Sequence, residues 1–125
     1  MNRVLAVVVG LFSLMFLLIG VRWLVDPTGA AGQLGMPLLD DVGRSTQIGD
    51  FAAFFLTLGV VILLALVTSQ RLWYYPAAIL LGIAAVGRVL AWAVHDAALA
   101  LDLIVPEVII AAVLLLASRR LGKTG

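Results

Sequence analysis

Four long apolar stretches, set apart by short polar punctuation, make up the pattern of this chain. They run roughly from Val4 to Val25, Ser45 to Thr68, Leu72 to Val94 and Leu99 to Ser118. Each is close to the ~20 residues that cross a bilayer core. Backbone polar groups in hydrocarbon must be satisfied within their own segment, so these stretches predict helices. Leu, Val and Ala run through them without the alternation that a barrel strand requires. The expected fold class is all-α, an integral membrane four-helix bundle forming a single domain over residues 1–125, with an outer loop at 26–43.

Composition strengthens that reading. Of 125 residues 64% are hydrophobic and 12% charged, and the mean hydropathy is +1.20, whereas soluble domains carry about a quarter charged residues. The N-terminal run from Val4 to Val21 is longer than the apolar core of a secretion signal, and Arg22-Trp23-Leu24 separate it from the small residues at 29–31. It therefore reads as a retained first span.

Charge adds an orientation. Arg3, Arg71, Arg119, Arg120 and Lys123 fall at one side of the four spans, whereas Asp26, Asp40, Asp41, Asp50, Asp96, Asp102 and Glu107 fall at or toward the other. By the positive-inside rule both termini are expected in the cytoplasm, giving a multi-pass protein that is N-in and C-in.

Two connections are less regular. Asp26-Pro27-Thr28-Gly29 reads as a turn, and Gly32, Gly35 and Pro37 are expected to keep the 26–43 linker out of regular helix. Its apolar Leu34, Met36, Leu38 and Leu39 predict a cap over the outer mouth or an interfacial segment; a mobile loop is the alternative. The fourth helix is expected to start near Asp102, with Asp102 as N-cap and Pro106 in or just beyond the first turn. An earlier start with a kink at Pro106 is the other reading.

Small residues at Ala6, Gly10 and Ser13, and at Ala78, Gly82 and Ala85, mark candidate helix contacts. Trp23, Trp73, Tyr74 and Tyr75 lie at span ends, where an interfacial aromatic belt is the default expectation.

The chemistry concentrates around Gly87–Asp96. Arg88 lies deep in the third span, where a charge needs a partner. Arg88, Trp92 and His95 are spaced by four and then three, which places them on one helical face. Counted from the cytoplasmic ends, Arg22 and Asp50 come to a similar level near the outer interface, while Arg88 and Glu107 lie deeper, Glu107 deepest of all; Arg88 is expected to pair with Glu107, and Asp50 with Arg22 or Arg88. A polar site in the outer half follows, with Asp50, Phe51, Phe54, Arg88, Trp92, His95 and Glu107 as its ligand-binding candidates. Glu107, Asp50 and His95 are the candidate catalytic groups, since carboxylates at low dielectric and a histidine suit proton transfer. An ion-pair cluster that only fixes helix packing accounts for the same residues.

Several classes drop out. There is no cysteine and one histidine, so no thiol chemistry or metal site is implied, and no cofactor is called for. A net charge of +1 gives no case for nucleic acid.

Asp26-Pro27 after the first span, Gly49-Asp50-Phe51 in the second, Gly87-Arg88 in the third and Pro106-Glu107 in the fourth resemble the small four-helix bacterial membrane proteins of the DoxX-like group. Many of that group are without assigned function. The resemblance implies a four-helix bundle in the bacterial inner membrane with Arg88 and Glu107 turned inward, and no particular substrate. Lipid isomerases of the sterol type offer an analogy, with acids and a histidine inside a small helical bundle.

The first expected function is a membrane protein whose polar site binds a lipophilic small molecule or a partner membrane protein, a second copy included. An acid–base enzyme of isomerase type acting on a lipid-like substrate is the alternative. A structural subunit of a membrane complex is the third.

Overall fold

Helix α1 (Asn2–Val25) leads into a short α2 (Pro27–Gln33), then α3 (Asp41–Thr68), a 3-10 turn at Arg71–Trp73, α4 (Tyr74–Val94) and α5 (Leu101–Arg120). The computed structural model describes residues 1–123. Helices α1, α3, α4 and α5 form an all-α four-helix bundle, and each is long and apolar enough to cross a bilayer, the 3-10 turn counting with α4. Met1 and Lys123 lie at one end of the bundle, here the terminal end; α2 lies at the far end.

The distribution of apolar surface fits a lipid solvent. Only 22–33% of the most apolar window of each span is buried inside the protein. Val7, Leu11, Leu14 and Leu18 on α1, and Ile79, Ile83, Val86 and Leu90 on α4, all face outward. Apolar exposure on that scale exceeds what a soluble monomer carries.

Burial from lipid gives helices little reason to associate, so close backbone packing and hydrogen bonds must hold them. Two tight pairs result, α1 on α3 and α4 on α5, with lighter contact between the pairs. In the first pair Gly20 lies under Leu56, and Gly59 lies under Leu17. A Cβ at Gly20 would come within 2.6 Å of Leu56 Cγ, and one at Gly59 within 2.5 Å of Leu17 Cγ. Ser13, from the expected small-residue stripe, is buried and its hydroxyl donates to the Gly59 carbonyl at 2.7 Å. Gly82 of the other stripe has open space where a side chain would be.

At the terminal end, residues after α5 strap the α3–α4 connection. Lys123 N–H donates to Ser69 O at 2.7 Å, Arg71 N–H to Lys123 O at 3.1 Å, and Arg71 Nε–H to Ser118 O at 3.0 Å. Gly122 is required there, because a Cβ would fall 2.6 Å from the Ser118 carbonyl and 2.7 Å from Arg71 Cα.

The structure departs from expectation in four places. The linker contains a regular helix despite its glycines. Pro27 occupies the first turn of α2, where a missing N–H costs nothing, and Asp26 Oδ1 accepts from Gly29 N–H at 3.3 Å. Second, α3 begins at Asp41, four residues before the expected start, and at ~42 Å it is longer than the hydrocarbon core is thick. Third, α5 starts at Leu101 with Ala100 as N-cap, where the Ala100 carbonyl already accepts from Ile104 N–H at 2.9 Å. Asp102 is therefore in the first turn and is not the cap, and Pro106 lies inside the helix. Fourth, Trp23 and Tyr74 are fully buried and do not belong to an interfacial belt. Trp23 stacks on Phe51 at 4.9 Å between ring centroids, and Tyr74 joins the main core.

Candidate functional site: a cavity beside the Arg88–Glu107 pair

Because the two helix pairs meet only lightly, a cavity of about 660 Å³ remains between them in the far half of the bundle. Every helix contributes a wall. Met15, Phe16 and Ile19 come from α1, and Asp50, Phe51, Phe54 and Phe55 from α3. Leu81, Ala84 and Arg88 come from α4; Leu103, Pro106, Glu107 and Ile110 from α5. Ala30 and Gln33 of α2, with Leu34 just after it, complete the lining as a roof. The size suits a drug-sized or lipid-like molecule, and mostly apolar walls with a few polar groups are the usual composition of such a site.

The aromatic wall is internally ordered. Phe54 meets Phe55 edge-on at 5.1 Å and 86°, and Phe55 in turn stacks with Phe16 at 6.1 Å. Phe51 is backed by the buried Trp23. These contacts hold the phenyl rings in fixed orientations toward the cavity.

The polar wall is carried by helix register. Arg88 is about 21 Å from the start of α4, and Glu107 about 20 Å from the end of the antiparallel α5, so the two come level. Arg88 Nε donates to Glu107 Oε1 at 2.9 Å, with the two side chains 30% and 14% exposed. This is a single contact and not the two-pronged pairing that a guanidinium and a carboxylate can make. The Arg88 Nη atoms have no hydrogen-bond partner among the described residues. Pro106, one residue before Glu107, has no N–H for the Asp102 carbonyl, which loosens the helix ladder in this wall.

Asp50 is one helical turn nearer the far end than Phe54 and is exposed. It pairs with neither of the arginines that the sequence suggested. Arg22 Nε instead donates to Asp26 Oδ2 at 3.3 Å, one turn along its own helix, and Arg88 is taken by Glu107.

The structure thus brings Asp50, Phe51, Phe54, Arg88 and Glu107 to one cavity. Trp92 and His95 are not among its lining. Trp92 is 51% exposed, and His95 is exposed as the C-cap of α4. Both share the helical face of Arg88, but the cavity closes at the Arg88 level on α4, one and two turns below them. Among the described residues no group of acids and histidine is arranged to hold a metal ion.

Sequence reasoning missed the roof and the α1 wall. Phe16, Ile19 and Phe55 are apolar residues in apolar spans, and nothing distinguishes them from lipid-facing neighbours. Gln33 did carry a signal, being the one amide in the linker. So did Gln47, which is 6% exposed near the start of α3. Its Oε1 accepts from Leu39 N–H at 2.7 Å and its Nε2 donates to Pro37 O at 3.1 Å, tying the segment after α2 to the bundle. Arg44 donates to Leu39 O at 2.8 Å and to Asp40 at 3.2 Å, adding a second tie.

No protein-family model matches the chain, and neither does any curated protein or solved structure.

Proposed function

We propose that this membrane protein binds a lipophilic small molecule in the roofed cavity, with the polar part of that molecule against Arg88, Glu107 and Asp50. The observation that carries the reading is the cavity itself, about 660 Å³ beside an ion pair. A cluster serving helix packing alone would be closed over, because unfilled space forfeits the dispersion contacts that hold helices together in lipid. The roof supports the reading further, since Gln47 and Arg44 spend polar side chains on anchoring the segment that follows α2.

The DoxX-like resemblance belongs to the same proposal. Asp50-Phe51, Arg88 and Pro106-Glu107, three of the four short motifs behind it, line one cavity, and Asp26 of the fourth caps α2. A bacterial inner-membrane setting with both termini cytoplasmic is supported by the five basic residues at the terminal end.

Native mass spectrometry of protein extracted in mild detergents tests the binding reading. A retained lipophile that is lost when Ala84→Phe fills the cavity is the expected result. An empty spectrum across several gentle detergents, or equal retention by Ala84→Phe, overturns it.

Acid–base catalysis on a lipid-like substrate is the second reading, favoured by one observation. Asp50 is a carboxylate at an apolar cavity with no ion-pair partner among the described residues, the situation in which a general base is found. Conversion of the retained lipophile by wild type and not by Asp50→Asn would establish it; a chemically unchanged ligand would exclude it.

A further inference from the structure

The charge balance of the cavity selects among lipophiles. Its lining contains two carboxylates, Asp50 and Glu107, against one guanidinium, Arg88. Glu107 and Arg88 neutralise one another at 2.9 Å. The remaining negative charge is that of Asp50, and the other arginines of the far half are committed elsewhere. Arg22 is engaged by Asp26 at 3.3 Å and Arg44 by Asp40 at 3.2 Å. Asp50 is followed at once by Phe51 and one turn on by Phe54, so aromatic rings line the cavity next to the unmatched carboxylate.

A carboxylate together with phenyl faces on a mostly apolar cavity is the chemistry that recognises a cation carried on an apolar body. An anion in the same place would meet two carboxylates against a single guanidinium whose charge one of them already balances. A neutral molecule would cover Asp50 without compensating its charge, at the cost that burying an unpaired ion carries.

The surroundings point the same way. The far half of the chain holds all seven acids against Arg22, Arg44 and Arg88, a formal excess of four negative charges. Such an imbalance attracts cations to the mouth and repels anions from it.

The geometry points to a lipophilic organic cation, a substituted ammonium or its phosphonium equivalent, as the ligand class of this cavity, with Asp50 as its counter-ion and Phe51 and Phe54 as its aromatic contacts. This inference rests on the pocket reading and narrows it.

Tetraphenylphosphonium and tetraphenylborate make the test, being nearly the same size and shape with opposite charge. Saturable binding of each to detergent-purified protein is measured by equilibrium dialysis, with Ala84→Phe supplying the non-specific background. The cation is expected to bind at least about tenfold more tightly than the anion. Asp50→Asn should abolish that preference, and Asp50→Glu should restore most of it, both variants melting close to wild type. Equal affinity for the two ions, preference for the anion, no saturable binding of the cation, or a preference unchanged in Asp50→Asn each overturns the inference. The pocket reading fails separately, when mass spectrometry finds no retained lipophile.

Discussion

Arg88 of α4 and Glu107 of α5 meet at 2.9 Å because their antiparallel helices place them at the same height. Removing one member leaves the other as an unpaired charge in a bundle, a loss of up to 3–5 kcal/mol when fully buried and on the order of 3 kcal/mol at this partial exposure. Arg88→Leu should therefore be strongly destabilised in a thermal or denaturant melt in detergent. Arg88→Lys should recover part of the loss, since an ammonium keeps the charge but not the planar fork. A melt for Arg88→Leu indistinguishable from wild type would show that the pair contributes nothing to folding.

The reciprocal seating of Leu56 on Gly20 and Leu17 on Gly59 gives a second expectation. Gly20→Ala and Gly59→Ala should each cost about 1–3 kcal/mol, because the added methyl overlaps a leucine branch and presses on backbone nitrogen at 3.0 Å. Combining Gly20→Ala with Leu56→Ala should relieve part of that overlap. The two changes would then be non-additive in a double-mutant cycle; strict additivity would mean that the helices simply move apart.

Gln47 supplies a third. Replacing it with leucine leaves Leu39 N–H and Pro37 O without their partners, at about 1–3 kcal/mol for buried polar groups. The effect should be local. Amide exchange at Leu39 should accelerate in Gln47→Leu while amides in the middle of α3 stay protected. Gln47→Glu keeps an acceptor for Leu39 and should protect that amide. Unchanged exchange in both variants would show that the segment is held by other means.

How far the sequence revealed this arrangement depended on whether a residue contrasted with its neighbours. Arg88 and Glu107 are charges in apolar runs and were expected to pair, although counting from Arg71 and Ser118 set Glu107 deeper; they come level because α4 begins only at Tyr74 and α5 runs on to Arg120. Asp50 was placed at a polar site for the same reason, but its partner was not legible: Arg22 has Asp26 one turn away, and a local pair forms at no loop-closure cost. Trp23 and Tyr74 illustrate the opposite case. An aromatic at a span end looks the same whether it faces headgroups or a core, and only the α2 fold-back and the main core decide it. Gly20 and Gly59 escaped notice because a glycine contact is defined by the leucine on the other helix. Trp92 and His95 share a helical face with Arg88, but periodicity does not say at what height a cavity closes.

Orientation is open to direct measurement, helped by the absence of cysteine. Single cysteines placed at Gly32 and at Ala98 should react with a membrane-impermeant maleimide from outside intact cells. Cysteines at Asn2 and Gln70 should react only after lysis, since both are exposed at the basic end. Labelling of the Gln70 site in intact cells would reverse the orientation.

The strap at the terminal end has a consequence for the order in which the protein is made. Arg71 and Ser69 find their partners at Ser118 and Lys123, some fifty residues downstream. At about 5–20 residues per second, a ribosome needs several seconds to deliver those partners. The hairpin of α1 and α3 contains its own glycine–leucine seats and its Ser13–Gly59 bond, so it can close during that interval. The turn into α4 cannot, and neither can the cavity, whose fourth wall is the last to leave the ribosome. The cavity is therefore complete only once synthesis has passed α5, and a nascent chain stalled before Pro106 should enter the bilayer as a closed hairpin with an unanchored third helix.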